Sequence, residues 1–200
     1  KKLINQKNKV FLISHFGRPK GKKDDKYSLK FICTYLKKEF GIDKIFFLNN
    51  IDDKKIKQTI DIMKPGDVCL IENIRFFPEE ENNDQDFSKN LSKNFDIYVN
   101  DAFSASHRKH ASVIGIPKYI PSFAGLSLVK EIKNINAFIS KPKKPNIAII
   151  GGSKISSKID LFYNLSKFFQ TIVVGGAMAN TFLYANGIDI GKSLCEKNLN

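Results

Sequence analysis

The sequence has few cysteines, few arginines and no long apolar segment. Its three cysteines, Cys33, Cys69 and Cys195, are scattered and form no C-x-x-C pair, so they support neither a disulfide framework nor a zinc site. No apolar run approaches the ~18–20 residues that a membrane-spanning helix needs. The first residues contain no apolar segment of the kind found in secretory signals. We therefore expect a cytoplasmic protein with reduced thiols, no bound structural metal and no membrane partner.

The chain carries a formal net charge of +13, yet only three of its 33 basic Lys and Arg residues are arginines. A basic chain can bind nucleic acid, an anionic membrane or small polyanionic substrates. The lysines are spread along the sequence among abundant Ile, Asn and Phe, a mixture that compositional bias can produce. The positions of Arg18, Arg75 and Arg108 are therefore more informative than the total charge.

Short apolar segments alternate with segments of helical periodicity. Apolar residues make up 42% of the 200 residues, enough for a substantial core, and the apolar runs are continuous, as in parallel strands covered on both faces. This alternation predicts a doubly wound α/β architecture. In the first segment of helical periodicity, Ser28 is a candidate N-cap and Gly41 is a candidate C-terminal residue. Ser157 similarly precedes a later segment of this kind. The predicted strands are Val10–Ser14, Lys44–Leu48, Asp67–Glu72, Phe95–Asn100, Asn146–Ile150 and Thr171–Val174.

A domain boundary is predicted in the middle of the chain. Residues 122–140 have the apolar stripe of one long helix, preceded by Pro117 and Pro121 and followed by the proline-containing run 141–145. A new strand pattern begins directly after that run. We expect two doubly wound parallel-sheet, Rossmann-like domains: one over 1–121, a connecting helix over 122–140, and an incomplete second domain over 141–200.

All three arginines directly follow predicted strands. The first strand leads into the turn Ser14–Pro19, which contains Arg18, and the strands 67–72 and 95–100 lead to Arg75 and Arg108. Ligands of open parallel sheets bind at the carboxyl ends of the strands, and the planar guanidinium binds phosphate or carboxylate in a bidentate manner. We therefore predict that the three side chains converge on a bound anion.

Each arginine could instead pair with a nearby acid. Examples of such acids are Glu72, Glu79 and Asp101, although three such pairs at matching strand ends would be a coincidence. In the turn itself, His15 is a candidate hydrogen-bond donor to phosphate, and Gly17 permits a close approach of the backbone. His110 is interpreted as structural.

The predicted second domain opens with a second candidate anion site. A strand leads into Gly151-Gly152-Ser153-Lys154 and then a helix start with Lys158, which is a physical arrangement suited to phosphate. A helical turn would bring Lys154 and Lys158 to one face, where an anion would relieve their repulsion. The alternative is a solvated basic helix end. Gly175-Gly176 also follows a predicted strand. Either the close approach of a ligand or the tight packing of a helix against the sheet would account for these glycines.

Seven motifs resemble the phosphoglycerate kinase family, in the family's order and spacing, and together they span nearly the whole chain. They are SHFGRP (14–19), ENIRFFPEE (72–80), YVNDAFSASHRKHAS (98–112), IPSFAGLSLVKEI (120–132), IAIIGGSKISSKI (147–159), VVGGAMANTFL (173–183) and GIDIGKSL (187–194).

The resemblance implies reversible phosphoryl transfer between 1,3-bisphosphoglycerate and ADP, giving 3-phosphoglycerate and MgATP, by a monomer whose two domains close about a helical hinge. It implies that the amino-terminal domain binds the glycerate and the carboxyl-terminal domain binds the nucleotide. The implied substrate-binding residues are His15, Phe16, Gly17, Arg18, Arg75 and Arg108. The implied nucleotide-binding residues are Gly152, Ser153, Lys154, Lys158 and Gly176, with Lys154 and Arg18 as the catalytic residues.

Two residues depart from the family pattern: Ser104 replaces a usual glycine, and Ala177 replaces the third glycine of a GGG run. The resemblance also implies that a first strand with a substrate-binding Asp and Asn and a further Arg precedes Lys1, and that the acid near Mg²⁺ follows Asn200. We therefore expect an internal fragment that is inactive by itself. The alternatives are a basic nucleic-acid-binding protein and an interaction protein that keeps the fold without catalysis.

Overall fold

The computed structural model describes residues 1–140 and 142–197. The chain forms two compact units, Lys1–Val129 and Lys130–Asn200, and the boundary between them falls within one helix. No helix in the described ranges is both long and apolar enough to cross a membrane. The three cysteines are free thiols, and burial raises the pKa of Cys69 to about 12.

The first unit contains two parallel sheets. Strands β1 (Val10–Leu12), β3 (Val68–Ile71) and β2 (Ile45–Leu48) form one sheet in the order β1-β3-β2. Strands β4 (Tyr98–Asn100) and β5 (Ser122–Ala124) form the other. The carboxyl ends of β1 and β3 are therefore neighbours at one edge of their sheet.

Local signals define the helices between these strands. Asp52 and Asp84 accept hydrogen bonds from backbone N–H groups at the starts of two helices, and Gly41, at φ +68°, ends another in the left-handed region that favours glycine. The helices of this part of the chain are α1 (Lys2–Asn5), α2 (Ile32–Phe40), α3 (Asp53–Ile62), α4 (Pro78–Glu81) and α5 (Gln85–Ser92).

Strand β3 is buried on both faces, as its continuous apolar sequence predicts. Because side chains alternate along a strand, Val68 and Leu70 belong to one apolar cluster and Cys69 and Ile71 to another. Helix α2 lies beside the first cluster, and α3 and α5 contribute Ile56 and Leu91 to the second. The residues that follow β3 therefore start from the most deeply buried strand of the unit.

The second unit has a two-stranded parallel sheet with helices on one face. Helix α6 (Leu126–Ser140) crosses the boundary between the units. The other elements of the second unit are β6 (Ile147–Gly151), α7 (Ile159–Ser166), β7 (Thr171–Gly175) and α8 (Ala177–Ala185). Strand β6 pairs with β7 so that Gly151 lies opposite Gly175. The side chain of Asn146 joins the two strand starts, donating to the carbonyl of Phe168 and accepting from the N–H of Gln170.

The predicted alternation of parallel strands and helices is confirmed, with three corrections. The long helix begins at Leu126, not Ser122, because residues 122–124 pair with β4 and the Asp101 carboxylate accepts the N–H of Leu128 at 2.9 Å. The helix expected after Ser28 begins at Ile32, since the Ser28 hydroxyl donates to Glu72. Strand β6 is covered on only one face, so that Ile149 is 81% exposed.

Candidate functional site

The turn after β1 has a backbone that needs glycine. Gly17 has a φ of +62°, and a Cβ at this position would lie 2.4 Å from the ring of Tyr27. The ring of Phe16 is exposed and contacts Tyr27 and Phe31 edge-on, with centroids 6.3 and 5.7 Å away. Sequence reasoning attributed Gly17 to the approach of a ligand, whereas the structure shows that an aromatic ring of the same unit requires it.

The residues that follow β3 hold this turn in place. The side-chain amide of Asn73 donates to the carbonyl oxygens of Phe16 and Tyr27, at 2.7 and 2.9 Å. The Arg75 guanidinium donates from Nη1 to the carbonyl oxygen of Gly17 at 2.9 Å. Two side chains of the ENIR sequence therefore fix two consecutive carbonyls of the turn.

Glu72 secures the segment that follows the turn. Its buried carboxylate accepts from the Ser28 hydroxyl and the Leu29 N–H, both at 2.7 Å, and from the Asn73 N–H at 2.8 Å. Hydrogen bonds to a carboxylate are stronger than those between neutral groups. Glu72 thus stabilises the turn's surroundings and is not the partner of an arginine.

Arg75 is a buried cation with spare donors. Its side chain is only 4% exposed, and its Nε and Nη2 atoms are buried and without a hydrogen-bond partner in the described ranges. Glu81 approaches Nε at 3.6 Å, which is too far for a hydrogen bond. Leaving buried charged donors unsatisfied is costly, so the guanidinium has unused capacity for an anion.

The alternative in which each arginine pairs with a nearby acid holds in part: Arg75 forms a long ion pair with Glu81, at 3.6 Å. The Glu72 and Asp101 carboxylates accept from other groups. Within residues 1–140 and 142–197, neither Arg18 nor Arg108 forms an ion pair. Arg18 is exposed and Arg108 half-buried, so both keep their guanidinium charge available.

Neighbouring charges of both signs affect the basic groups of this region. Burial lowers the pKa of Arg75, and the positive charges of Arg108 and Arg18 lower it further, while Glu81 and Glu80 oppose this effect. Burial likewise lowers the pKa of His15 below its usual value, with additional repulsion from Arg75, Arg108 and His110. The convergence of the three arginines on a bound anion stays a prediction.

The buried carboxylate of Glu80 holds Ser112, four residues after Arg108. The Glu80 carboxylate accepts from the N–H and the hydroxyl of Ser112, at 2.8 and 2.6 Å, and lies 3.6 Å from Nδ1 of His110. The phenol of Tyr98 donates to the carbonyl of Ser112. These contacts agree with the interpretation of His110 as structural.

The glycines of the second unit bring two strand ends close together. Gly152 and Gly176 both have positive φ, and a Cβ on Gly176 would lie 3.2 Å from the carbonyl oxygen of Gly152. That carbonyl accepts the N–H of Met178 at 3.1 Å. A Cβ on Gly152 would lie 3.1 Å from Nζ of Lys158, so the Lys158 ammonium group lies beside the glycine backbone.

The two lysines are not placed on one helix face as predicted. Residues 156–158 form a 3₁₀ turn, and Lys158 has a φ of −135° at the position before α7. Because residues 154–158 do not form an α-helical turn, the conformation of this loop sets the distance between Lys154 and Lys158. Whether both reach one ligand therefore depends on the loop. Ser153 and Lys154 are both exposed.

Sequence reasoning missed Glu196. Its carboxylate accepts from the N–H groups of Ile155 and Ser156, at 2.8 and 3.1 Å, and from the Ser156 hydroxyl at 2.5 Å. The contact spans about forty residues of sequence, and no local spacing signals it. The GKSL stretch just before Glu196 was the nearest available clue.

These features define an α/β protein with basic groups at the carboxyl ends of parallel strands, which is where proteins of this class bind their ligands. The family model described as phosphoglycerate kinase matches residues 1–200. The chain belongs to the phosphoglycerate kinase family.

Individual relatives agree with this assignment. The chain is 46% identical over 188 residues to a phosphoglycerate kinase of Borreliella burgdorferi, covering 94% of this chain and 48% of the relative. It is 46% identical over 191 residues to one from Brucella suis, covering 96% of this chain and 48% of the relative. The chain therefore spans about half the length of the curated relatives it matches.

Solved structures of the family share the fold. The phosphoglycerate kinase of Coxiella burnetii matches 98% of this chain and 49% of its own, with 38% identity and a TM-score of 0.76. The enzyme of Pyrococcus horikoshii matches 95% of this chain and 48% of its own, with 28% identity and a TM-score of 0.82.

Proposed function

We propose that the protein carrying this chain is a phosphoglycerate kinase, which transfers a phosphoryl group reversibly between 1,3-bisphosphoglycerate and ADP to give 3-phosphoglycerate and ATP. The observation that carries the proposal is the buried Arg75 guanidinium, with two unpartnered nitrogen donors, beside Arg18, Arg108 and His15. A cluster of this kind is stabilised by a polyanionic ligand.

The glycerate substrate is assigned to the first unit. Arg18, Arg75 and Arg108 would hold its carboxylate and phosphate oxygens, and His15 would donate a hydrogen bond from a neutral imidazole. Gly17 and Phe16 contribute indirectly, since the Gly17 carbonyl orients Arg75 and the Phe16 carbonyl secures the turn. Arg18 is exposed and unpaired within the described ranges, which suits the catalytic role assigned to it.

The nucleotide is assigned to the second unit. Gly152 and Gly176 leave backbone free of side-chain bulk, and Lys158 lies beside Gly152. We assign Lys158 and Ser153 to the nucleotide phosphates and Lys154 to the transferring phosphoryl group. Ala177 stands at the start of α8 directly after Gly176, so its methyl group borders the same region.

Phosphoryl transfer needs positioning and charge neutralisation more than a covalent nucleophile. In the forward direction the acyl-phosphate bond of the bisphosphoglycerate breaks while a bond forms to the terminal phosphate oxygen of ADP, leaving a carboxylate. The cations of both units would balance the charge on the transferring group. Closure about α6 is proposed as the movement that joins the units and excludes water.

Magnesium would accompany the nucleotide and neutralise its phosphates. In the part of the chain that the structure describes, no group of three or more His, Cys, Asp or Glu side chains is able to hold a metal ion. A Mg²⁺ ion that accompanies a nucleotide is held largely by phosphate oxygens and water. A cytoplasmic monomer without nucleic-acid or membrane partners completes the proposal.

An assay of the product of the complete coding sequence tests the proposal. With 3-phosphoglycerate and MgATP, coupled to NADH oxidation by a dehydrogenase that consumes 1,3-bisphosphoglycerate, we expect turnover that depends on both substrates. Absence of turnover, together with salt-sensitive binding to duplex DNA, would instead favour the nucleic-acid alternative. Absence of both would favour a protein that keeps the fold without catalysis.

A further inference from the structure

The loop between β6 and α7 contains Lys154 and Lys158, to which the proposed function gives the main phosphate contacts. Ile155 lies between them, and its side chain is buried, with 4% exposure. Its carbonyl accepts the N–H of Lys158 at 2.7 Å, while its own N–H donates to Glu196 at 2.8 Å. Two hydrogen bonds of Ile155, one to its carbonyl and one from its N–H, therefore fix the backbone between the two lysines.

The carboxylate of Glu196 accepts three hydrogen bonds from this loop. Besides the Ile155 N–H, its carboxylate accepts the N–H and the hydroxyl of Ser156. Those hydrogen bonds, with a contribution from the Lys154 charge, lower the pKa of Glu196. The acid is thus a stable anion at neutral pH, where charge-assisted hydrogen bonds are at full strength.

Glu196 is itself held in place by α8. Its N–H donates to the Thr181 hydroxyl at 3.0 Å, and that buried hydroxyl donates to the carbonyl of Ala177 at 2.9 Å. The amide of Asn180 donates to the carbonyl of Leu194, two residues before the acid. Since α8 begins directly after Gly176, Glu196 links the second glycine turn to the lysine loop.

These contacts carry a conclusion about which groups remain for a ligand. Backbone N–H groups at the start of a helix commonly bind phosphate, and the sequence suggested that use here. In this structure a carboxylate of the chain already accepts the N–H groups of Ile155 and Ser156. The groups left for a phosphate are the lysine side chains and the glycine backbone.

We propose that Glu196 is a positioning residue of the phosphoryl-transfer site, which acts through Ile155 and Ser156 to hold Lys154 and Lys158 at the spacing that the phosphates require. The inference rests on the proposed function, because the lysines matter only if a nucleotide binds there. Glu196 touches no substrate in this assignment, and its effect is exerted through the backbone.

The test compares variants of the full-length protein. Glu196→Ala should lower kcat about tenfold and weaken ATP binding by a similar factor, because charge-assisted hydrogen bonds that define the loop are lost. The affinity for 3-phosphoglycerate, measured by titration calorimetry, should stay within about twofold of wild type. Glu196→Gln keeps one acceptor oxygen and should be intermediate, which a purely steric role would not produce.

Neighbouring serines provide a matched control. Ser156→Ala should reproduce part of the loss, while Ser157→Ala, one residue further along, should behave as wild type. Because Ser156 and Glu196 share a hydrogen bond, the double variant should lose less than the product of the single losses.

The outcomes separate this inference from the function on which it rests. If wild type transfers phosphate and Glu196→Ala retains its kcat and ATP affinity, the positioning role is wrong while the kinase assignment stands. If wild type lacks turnover, the proposed function itself is wrong. If the variant unfolds, as judged by circular dichroism, Glu196→Gln and Ser156→Ala decide the question at native structure.

Discussion

At the scale of single residues, the structure separates side chains whose charge is unpaired from those that hold the backbone of the turn in place. Arg18 and Arg108 carry unpaired charge within the described ranges, whereas Asn73 and Glu72 spend their hydrogen bonds on the backbone of the unit. Arg75 does both, because Nη1 holds the Gly17 carbonyl and its other nitrogens remain unpartnered.

Replacing Arg75 tests this dual role. Arg75→Ala should weaken binding of 3-phosphoglycerate by roughly 10- to 100-fold, because charged hydrogen bonds to the anion are lost, and should leave ATP affinity nearly unchanged. Titration calorimetry with each ligand measures both quantities. An equal loss for both ligands would contradict the division of substrates between the two units.

Two further variants keep that experiment informative. Lys89→Ala removes an exposed positive charge on α5 from a residue that has no role in the proposed site. This variant should bind both ligands as wild type does. Arg75→Lys keeps the charge but not the planar fork, so it should remain weak if bidentate geometry matters.

The histidine of the turn should make the protein sensitive to acid. Burial, followed by repulsion from the arginines, lowers the pKa of His15 in the folded state. As the pH falls below the unfolded value, about 6.5, the unfolded chain binds the proton first, so the free energy of unfolding decreases. Above that value both states are neutral, and the contribution vanishes.

The sign of this effect can be checked with His15→Gln. Between about pH 7.5 and pH 5.5, wild type should lose more thermal stability than the variant when both are followed by calorimetry. Parallel losses would mean that the imidazole protonates as easily in the folded state as in the unfolded one.

At the scale of elements, two separate constraints require glycine at position 17, in the turn between β1 and α2. Its φ of +62° is unfavourable for other residues, and a Cβ would meet the Tyr27 ring. Gly41 has a similar φ of +68°, but nothing lies within 4 Å of the position of its Cβ. The two glycines therefore share a backbone conformation and differ in the space around the Cβ position.

This pair gives a matched comparison of backbone strain and steric overlap. Gly41→Ala should destabilise the protein by about 1 kcal/mol, and Gly17→Ala by a further ~1–3 kcal/mol because the ring must move. Urea denaturation measures the difference. Only Gly17→Ala should also weaken 3-phosphoglycerate binding, since a shift of the turn backbone would displace the residue-17 carbonyl that Arg75 binds; similar effects of both substitutions would show that strain dominates.

The elements were largely predictable from sequence, and the contacts between them were not. Continuous apolar runs identified β3, and its two-sided burial confirms the reason. The start of α6 was wrong because residues 122–124 pair with β4, an interaction that no local periodicity reveals.

Long-range polar contacts account for what was missed in the site. The three arginines were identifiable because each follows a strand. Asn73 and Glu196 were not, because they contact residues 57 and 41 positions away. Such contacts depend on how strands are brought together, which spacing along the chain does not encode.

At the scale of the whole molecule, the proposed reaction requires groups from both units. In the proposed assignment the first unit contributes the arginines and the second the lysines, so each ligand would bind to its own unit before the chemistry. Residues that matter chiefly at the transition state should then affect turnover more than ground-state binding.

Lys154 is the residue expected to show this distinction. Lys154→Ala should lower kcat by roughly 10²- to 10³-fold, a magnitude typical of removing one electrostatic contact to the transition state, while the dissociation constants of both substrates change far less. Steady-state kinetics and direct titration together measure the split. Lys143→Ala, an exposed lysine near the start of the second unit, is the control. A loss confined to ATP affinity would assign Lys154 to ground-state binding instead.

The bonds from Asn73 and Arg75 to the carbonyls of Phe16 and Gly17 also bear on the thermodynamics of recognition. The turn is already ordered before any ligand arrives, so binding does not have to restrict its backbone. Association of the glycerate substrate should therefore carry a small entropic penalty from the protein, and its rate should be governed by diffusion and charge attraction rather than by loop rearrangement.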